Sequence, residues 1–378
     1  MNYLLQLGNT PSLSVQEAKS VIGSSVEKID EYAASFSSKS DDEAITLFEK
    51  LGASVRLVKV TQEEKSLDGK TIEEFLAEYL IAIGQDKFKL AVAQWGEQQN
   101  SRIDFFQLKK LLTDRKIKVR FVEGSRHGTS AAVLLHQKIE EFVILQKVDK
   151  VTIGETIAIQ NIDHWTVKDR RKPYADRKKG MLPPKVARTM INLATNGHYD
   201  GLLYDPFCGT GTVLIEGLEM GMDVVGSDSD PESVLGSQTN LAWFKDREKL
   251  EKTFSIFQSD VSHADKDRFS KPVDYLVTEP FLGKPKPDSK QLPDMFRGLE
   301  KLYTGAFNQW RKILHDGSKI VIVFPRVEMG GKVFDLSGLI DKLSTQGYTL
   351  LVNFGDLRYH RETAVIQRDI LIFEYRGK

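Results

Sequence analysis

The stretch Tyr204-Asp205-Pro206-Phe207-Cys208-Gly209-Thr210-Gly211-Thr212 constrains this chain more than any other. Gly201-Leu202-Leu203-Tyr204 before it reads as a short buried strand. After it, Val213, Leu214, Leu218 and the acid Glu216 fall at helical spacing. The order is strand, glycine turn, helix, with an aspartate at the strand's carboxyl end. Glycines let a ligand approach the backbone closely, and the first turn of a helix offers free N–H groups, so a nucleotide-like ligand belongs there. A dinucleotide fingerprint needs a third glycine where Leu214 stands, and a P-loop needs Gly-Lys-Ser/Thr at its end; both fail.

Length then bounds the rest. A chain of 378 residues accommodates two or three domains, each with a normal core. With 40% apolar and 28% charged residues it has the composition of a soluble globular protein. Lysine plus arginine and aspartate plus glutamate each total 53, so any nucleic-acid binding must come from local basic patches. The single cysteine, Cys208, rules out an internal disulfide and fits a reducing cytoplasm. With no histidine nearby in sequence to assist it, Cys208 reads as a small packing residue. No apolar run reaches the roughly 18 residues of a membrane span, and Met1-Asn2-Tyr3-Leu4-Leu5 is too short for a signal peptide. A cytoplasmic protein with no membrane partner is expected, and neither monomer nor weak homo-oligomer is favoured.

In the front half, residues 3–8 read as a strand and Ser14 as the cap of the following helix. A second helix fits 41–51. Over 55–60 the apolar alternation changes face partway, which predicts a strand with a bulge. These elements suggest a small α+β (ferredoxin-like) domain over 1–65. Further on, a helix at 69–84 precedes a strand at 88–94, a helix at 104–113, a strand at 117–122 and a helix at 129–140. Strands at 141–148 and 155–160 close the unit. From Lys168 to Lys185, basic residues are interleaved with prolines and Tyr174, with Trp165 just upstream. Such a run either tracks phosphates while its rings offer stacking faces or is a solvated linker.

From about 185 to the end, strand candidates (201–205, 223–227, 254–258, 273–278, 318–324, 348–353, 368–374) alternate with helices (211–220, 231–244, 293–313, 335–345). This pattern gives a mainly parallel sheet covered on both faces, with ligands at the carboxyl ends of the strands. The second strand ends in Asp228, about twenty residues beyond the glycine turn, where an acid can accept from two ribose hydroxyls. Asp230 is assigned instead to capping the helix that begins at Pro231.

The octapeptide Asp-Pro-Phe-Cys-Gly-Thr-Gly-Thr at 205–212, with the glutamate-bearing helix after it, resembles the first motif of S-adenosylmethionine-dependent amino-methyltransferases. That resemblance implies a class I, Rossmann-like α/β fold. It implies that Asp205, Pro206, Gly209, Thr210 and Gly211 hold the methionine part of the cofactor. It also implies that Asp260 meets the adenine amino group, although Asp260 reads equally as a turn residue. The fourth strand ends in Glu279-Pro280-Phe281, where the family usually has Asp or Asn, two prolines and Tyr or Phe. An amine conjugated to a base ring is a poor nucleophile; a side-chain oxygen and a backbone carbonyl accepting from it favour the reactive form and aim it at the methyl. The aromatic residue stacks on the flipped base. Glu279 and the missing proline depart from the pattern. Either this branch compensates through its backbone or transfer is impaired.

Arg170-Arg171-Lys172-Pro173-Tyr174 and the run 180–194 resemble the segment preceding the catalytic fold in THUMP-containing tRNA guanine-N2 methyltransferases. The strand order of the front half and the basic Lys116–Arg120 strand resemble a THUMP domain, a module that binds tRNA. The expected organisation is an N-terminal α+β domain (1–65), a THUMP-like RNA-binding domain (66–165), a basic linker (166–184) and a methyltransferase domain (185–378). Direct in-line transfer to guanine N2 of tRNA, at about position ten, requires no metal. Two alternatives stay open: a DNA or ribosomal-RNA amino-methyltransferase, and a non-catalytic RNA-binding protein that keeps the cofactor fold.

Overall fold

The structure is a computed structural model that describes residues 1–64, 70–96, 103–122, 128–137, 139–147, 150–175, 181–263, 266–360 and 364–377. Two compact units divide the chain: Met1–Pro11, Ile22–Glu49 and Ser54–His164 form the first, and Ser12–Val21, Lys50–Ala53 and Trp165–Lys378 the second.

The first unit is built on an eight-stranded sheet in the order β2-β3-β1-β4-β8-β7-β5-β6. Its strands are β1 (Asn2–Leu7), β2 (Glu27–Lys28), β3 (Ala33–Ser37), β4 (Ser54–Glu64), β5 (Lys87–Gly96), β6 (Lys118–Phe121), β7 (Glu140–Lys147) and β8 (Lys150–Ile159). The helices are α1 (Pro11–Ile22, whose body counts with the second unit), α2 (Asp41–Glu49), α3 (Ile72–Ile83), α4 (Phe105–Asp114) and α5 (Ala131–Gln137). Because β4 pairs with β8, strands from 1–65 and from 66–165 lie in one sheet. Period-two alternation sorts the core. Phe88, Leu90, Phe142 and Ile144 pack with Leu76 and Leu80 of α3 and Leu108 and Leu112 of α4, while Ala93, Trp95, Val143 and Leu145 pack with Leu4 and Val58. The expected change of face in 55–60 is a register shift between Leu57 and Val58, both fully buried.

Two expectations fail here. Ser14 caps nothing: α1 begins at Pro11, and the Ser14 hydroxyl, inside the helix, donates to the Ala53 carbonyl (2.9 Å). A proline suits the first helical position, where its missing N–H leaves no helical bond unmade. The hairpin β2–β3 was not anticipated, because Ala33-Ala34-Ser35 has little β-propensity and is held by its partner β1.

The second unit follows α6 (Ile162–Arg170), which enters it at Trp165. In chain order come α7 (Pro184–Thr195), β9 (Leu202–Asp205), α8 (Thr212–Glu219), β10 (Asp223–Asp228), α9 (Pro231–Glu248), β11 (Phe254–Gln258) and β12 (Val273–Thr278). Then follow α10 (Leu292–Trp310), β13 (Leu314–Met329), β14 (Lys332–Phe334), α11 (Leu339–Thr345), β15 (Tyr348–Leu350), β16 (Arg358–Tyr359) and β17 (Gln367–Tyr375). The main sheet runs β11-β10-β9-β12-β13-β17-β15. Strands β9 to β13 pair in parallel, and β17 is antiparallel to both neighbours. Leu202–Tyr204, Val224–Val225, Leu276–Val277 and Ile320–Phe324 are buried runs, as expected of strands covered on both faces. Strand order reverses between β9 and β12, and that crevice is where such sheets bind ligands. Glu17 of α1, fully buried, accepts from Gly52 N (2.8 Å), Ala53 N (2.8 Å) and Asn192 Nδ2 (2.7 Å), which ties α1 and residues 50–53 to α7. No described helix is long and apolar enough to cross a membrane.

Candidate active site

The reversal point brings Asp205, at the end of β9, against Thr278, at the end of β12. The Thr278 hydroxyl donates to Asp205 Oδ1 (2.7 Å), and Phe207 N donates to the same oxygen (3.1 Å). Asp205 is 2% exposed. Burial pushes its carboxyl up to about 7 against those two hydrogen bonds, and the charges of Asp228 and Glu279 push the same way. A buried acid in this state favours a cationic partner.

The turn after β9 needs its glycines for two different reasons. Gly211 has φ +79°, and a Cβ there would stand 2.6 Å from Leu241 Cδ1. Gly209 has φ +48°, yet the nearest atom to its imagined Cβ is Phe207 O at 3.9 Å. The first is required by packing and backbone, the second by backbone alone, and space remains above it for a ligand. Gly209 N donates to Asp228 Oδ2 (2.9 Å), so the acid at the end of β10 braces the turn. Asp230 caps α9 as expected, accepting from Glu232 N (3.1 Å). Burial raises the Cys208 thiol, which lies 3.7 Å from Ser237 Oγ; it packs and is not activated.

One cleft is lined by Asp205, Phe207, Gly209, Thr210 and Thr212 of the turn, by Glu279 at the end of β12, and by Met181 and Leu182 ahead of α7. The structure thus places the glycine turn and Glu279 on the same cavity. Pro280 is buried, whereas the Phe281 ring is 59% exposed. Tyr303 of α10 donates to the Phe281 carbonyl (3.1 Å) and fixes the backbone there. Asp260 is exposed and does not line this cleft; its Oδ1 accepts from Ser262 N (2.8 Å) and Ser262 Oγ (2.6 Å). Those bonds hold its pKa below the usual value.

Arg368 was missed. Its Nε donates to Glu279 Oε1 at 2.5 Å, and both side chains are largely shielded from solvent. The sequence signal is a charged pair, Arg368-Asp369, leading an otherwise apolar strand; nothing in the sequence names the partner, 89 residues away.

The phosphate-tracking reading of the basic stretch is corrected at Lys168, Lys172 and Tyr174. Lys168 is 1% exposed, lying 2.7 Å from Glu216 Oε1 and 2.6 Å from Glu219 Oε2, with its ammonium 3.9 Å from the Trp165 ring centre. Arg188 joins the same two glutamates. Lys172 is buried as well, and the Tyr174 ring lies where a Cβ on Gly236 would stand, 2.1 Å away. Glutamates hold Lys168 and Arg188, threonine hydroxyls hold Lys172, and the Tyr174 ring packs against Gly236. Arg170 and Arg171 are exposed, and residues 176–180 lie outside the described residues.

S-adenosylmethionine fits the donor set. Asp205 offers an acid to its ammonium, the open face of Gly209 admits a ligand, α8 begins with free N–H groups, and Asp228 keeps lone pairs beyond those used.

Comparison with known proteins agrees with this geometry. Residues 170–349 match the family described as "RMKL-like, methyltransferase domain". A tRNA (guanine(10)-N2)-dimethyltransferase of Methanothermobacter thermautotrophicus is 30% identical over 195 residues, 51% of this chain and 51% of that one. A probable tRNA (guanine(10)-N2)-dimethyltransferase of Methanothermococcus thermolithotrophicus is 35% identical over 115 residues, 30% of this chain and 70% of the relative. The chain thus matches about half the length (51%) of the first of these relatives. The crystal structure of TrmN from Thermus thermophilus superposes with a TM-score of 0.59 at 15% identity, covering 100% of both chains, which is a likeness of fold.

Proposed function

We propose that this chain, which belongs to the RMKL-like methyltransferase family, methylates the 2-amino group of a guanosine in tRNA, at about position ten. The single observation carrying this reading is that Glu279 and the Asp205–Thr212 turn line one cleft. S-adenosylmethionine, the cofactor of this fold, supplies an electrophilic methyl when bound.

Asp205, Gly209, Thr210 and Gly211 would hold the amino-acid end of the cofactor, with Pro206 fixing the turn, Asp228 at the ribose and Asp260 at the adenine amino group. Glu279 accepts from the guanine amine. Arg368 engages Oε1 alone among the described residues, which leaves Oε2 free to orient that amine. The Pro280 carbonyl accepts the second N–H, and the exposed Phe281 ring stacks on the extruded base. Held this way by Glu279, Pro280 and Phe281, the amine would be aimed at the electrophilic methyl that bound S-adenosylmethionine would supply, with the Glu279 carboxylate placed to take the proton the nitrogen sheds and no covalent enzyme intermediate. The extra methylene of Glu279, relative to the usual Asp or Asn, is taken up by its reach to Arg368.

The first unit is proposed as the RNA-binding part, with a THUMP-like region over 66–165 after an α+β segment, 1–65. The catalytic domain begins at about 185, after the segment 166–184. A cytoplasmic location follows from a tRNA substrate.

The test uses tRNA transcripts carrying inosine, which lacks the 2-amino group, in place of the guanosine at position ten. The unsubstituted transcript should accept methyl groups and the substituted one none. Equal acceptance by both would move the target to another atom or another base.

A further inference from the structure

Lys172 is a buried cation that the proposed chemistry leaves unused. It is 6% exposed, and its ammonium donates to Thr210 Oγ1 (2.9 Å) and Thr212 Oγ1 (3.1 Å), two side chains that line the cofactor cleft. The surroundings hold it in place by design of the backbone. Asn240 of α9 accepts from Tyr174 N (2.8 Å) and donates to Tyr174 O (2.9 Å) and to Thr210 O (2.9 Å). One amide therefore clamps the Tyr174 backbone, two residues beyond Lys172, to the glycine turn.

The electrostatics of this position are unusual. The ammonium sits beside the first residue of α8, whose N-terminal end carries partial positive charge. Asp169 and Glu216 attract it at longer range, but the Glu216 carboxylate is already bound by Lys168 and Arg188. Among the described residues, no carboxylate lies within ion-pair distance of Lys172. A buried, uncompensated cation costs free energy unless something supplies an anion. The one anionic group on the cofactor is the carboxylate of its methionine part, and the turn holding that part is the one Lys172 touches.

Resting on the reading that this cleft binds S-adenosylmethionine, we infer that Lys172 is a positioning residue for the cofactor carboxylate, acting through the hydroxyls of Thr210 and Thr212. An ammonium donates and does not accept, so a threonine oxygen receiving its proton must point its own O–H elsewhere. The two hydroxyls are 3.4 Å apart, so one can donate to the other, and at least one hydrogen remains for the cleft. Lys172 thus orients a neutral donor pair toward an anion and compensates that anion's charge from behind. Burial holds the Lys172 amine down to about 8, as expected for a charge awaiting its counter-ion.

The test compares two ligands of the full chain by calorimetry: S-adenosylhomocysteine, which carries the carboxylate, and 5′-methylthioadenosine, which lacks the amino-acid part. Lys172→Met should weaken S-adenosylhomocysteine by about 10- to 100-fold, as for a lost charge-assisted hydrogen bond, and leave methylthioadenosine within about two-fold. Unchanged methylthioadenosine binding also reports an intact fold. Thr210→Val/Thr212→Val, which keeps shape and removes both hydroxyls, should show the same selective loss, and it decides the matter if Lys172→Met does not fold. Equal weakening of both ligands, or of neither, overturns the inference. Wild-type protein that binds neither ligand removes the cofactor reading itself.

Discussion

Arg368 Nε lies 2.5 Å from Glu279 Oε1 and joins the start of β17 to the end of β12, where Glu279 lines the cleft. The arginine holds one oxygen of the Glu279 carboxylate and leaves the other to the cleft. The pair makes Arg368→Met informative. Without its anchor, Glu279 loses the near-attack geometry, so the rate of methyl transfer should fall by about 10- to 100-fold, with cofactor affinity unchanged. Glu279→Ala should lose more rate and retain tRNA binding. Single-turnover assays alongside filter binding check both; an unaltered rate in Glu279→Ala would show that Glu279 does not carry the transfer.

Asp205 gives a pH dependence whose sign can be worked out. Its folded pKa, about 7, lies above the unfolded value near 3.9, so the cofactor-free folded protein binds the extra proton. The stability this contributes is fully present below about pH 4 and is lost as pH rises through 7. Urea unfolding of the cofactor-free protein between pH 5 and 8 should show falling stability that is flattened in Asp205→Asn, where the Thr278 bond can persist. Cofactor affinity should run the other way in wild type, tightening as pH rises through 7, because a cationic ammonium requires the ionised carboxylate.

Phe281 is 59% exposed, so its ring contributes little to folding. Phe281→Ala should leave the unfolding midpoint nearly unchanged while costing about 1–3 kcal/mol in tRNA use, the worth of one base stacked on an aromatic side chain. Phe281→Tyr should restore most of it. Measuring KM and kcat separately for the three proteins, with melting curves, tests this. A large melting shift in Phe281→Ala would show that the ring packs internally.

The buried charges beneath α8 separate structure from RNA contact. Glu216→Gln removes the fully buried carboxylate and leaves Lys168 and Arg188 to Glu219 alone, which should cost up to about 3–5 kcal/mol of stability. Lys168→Met should cost less, because Arg188 still compensates Glu216. Neither should change the salt dependence of tRNA binding. Replacing the exposed Arg170 and Arg171 by alanine should reduce the slope of log K against log salt by about 1–2. A reduced slope in Lys168→Met would contradict its burial.

The legible parts of the sequence were those governed by local rules. Strand, turn and helix around Asp205–Thr212 follow from hydrophobic period and glycine placement, and the change of face in β4 could be read from Leu57 and Val58. Asp230 capping α9 is equally local. The failures share a cause, which is distance along the chain. Lys168 and Lys172 look like surface lysines until Glu216 and Thr210 are brought beneath them. Arg368 has no visible role until β17 inserts between β13 and β15 and presents it to Glu279. Ser14 resembles a cap in every local respect, yet its partner is Ala53. Charge and hydroxyl patterns state what a side chain can do; only the sheet order decides what it meets.

The central claim is methyl transfer to guanine N2 of tRNA. The most direct measurement incubates the full chain with labelled S-adenosylmethionine and total tRNA, then resolves the digested nucleosides by mass spectrometry. The account predicts label in N2-methylguanosine or its N2,N2-dimethyl form. Label confined to another nucleoside, or none in tRNA despite measurable cofactor binding, would contradict it.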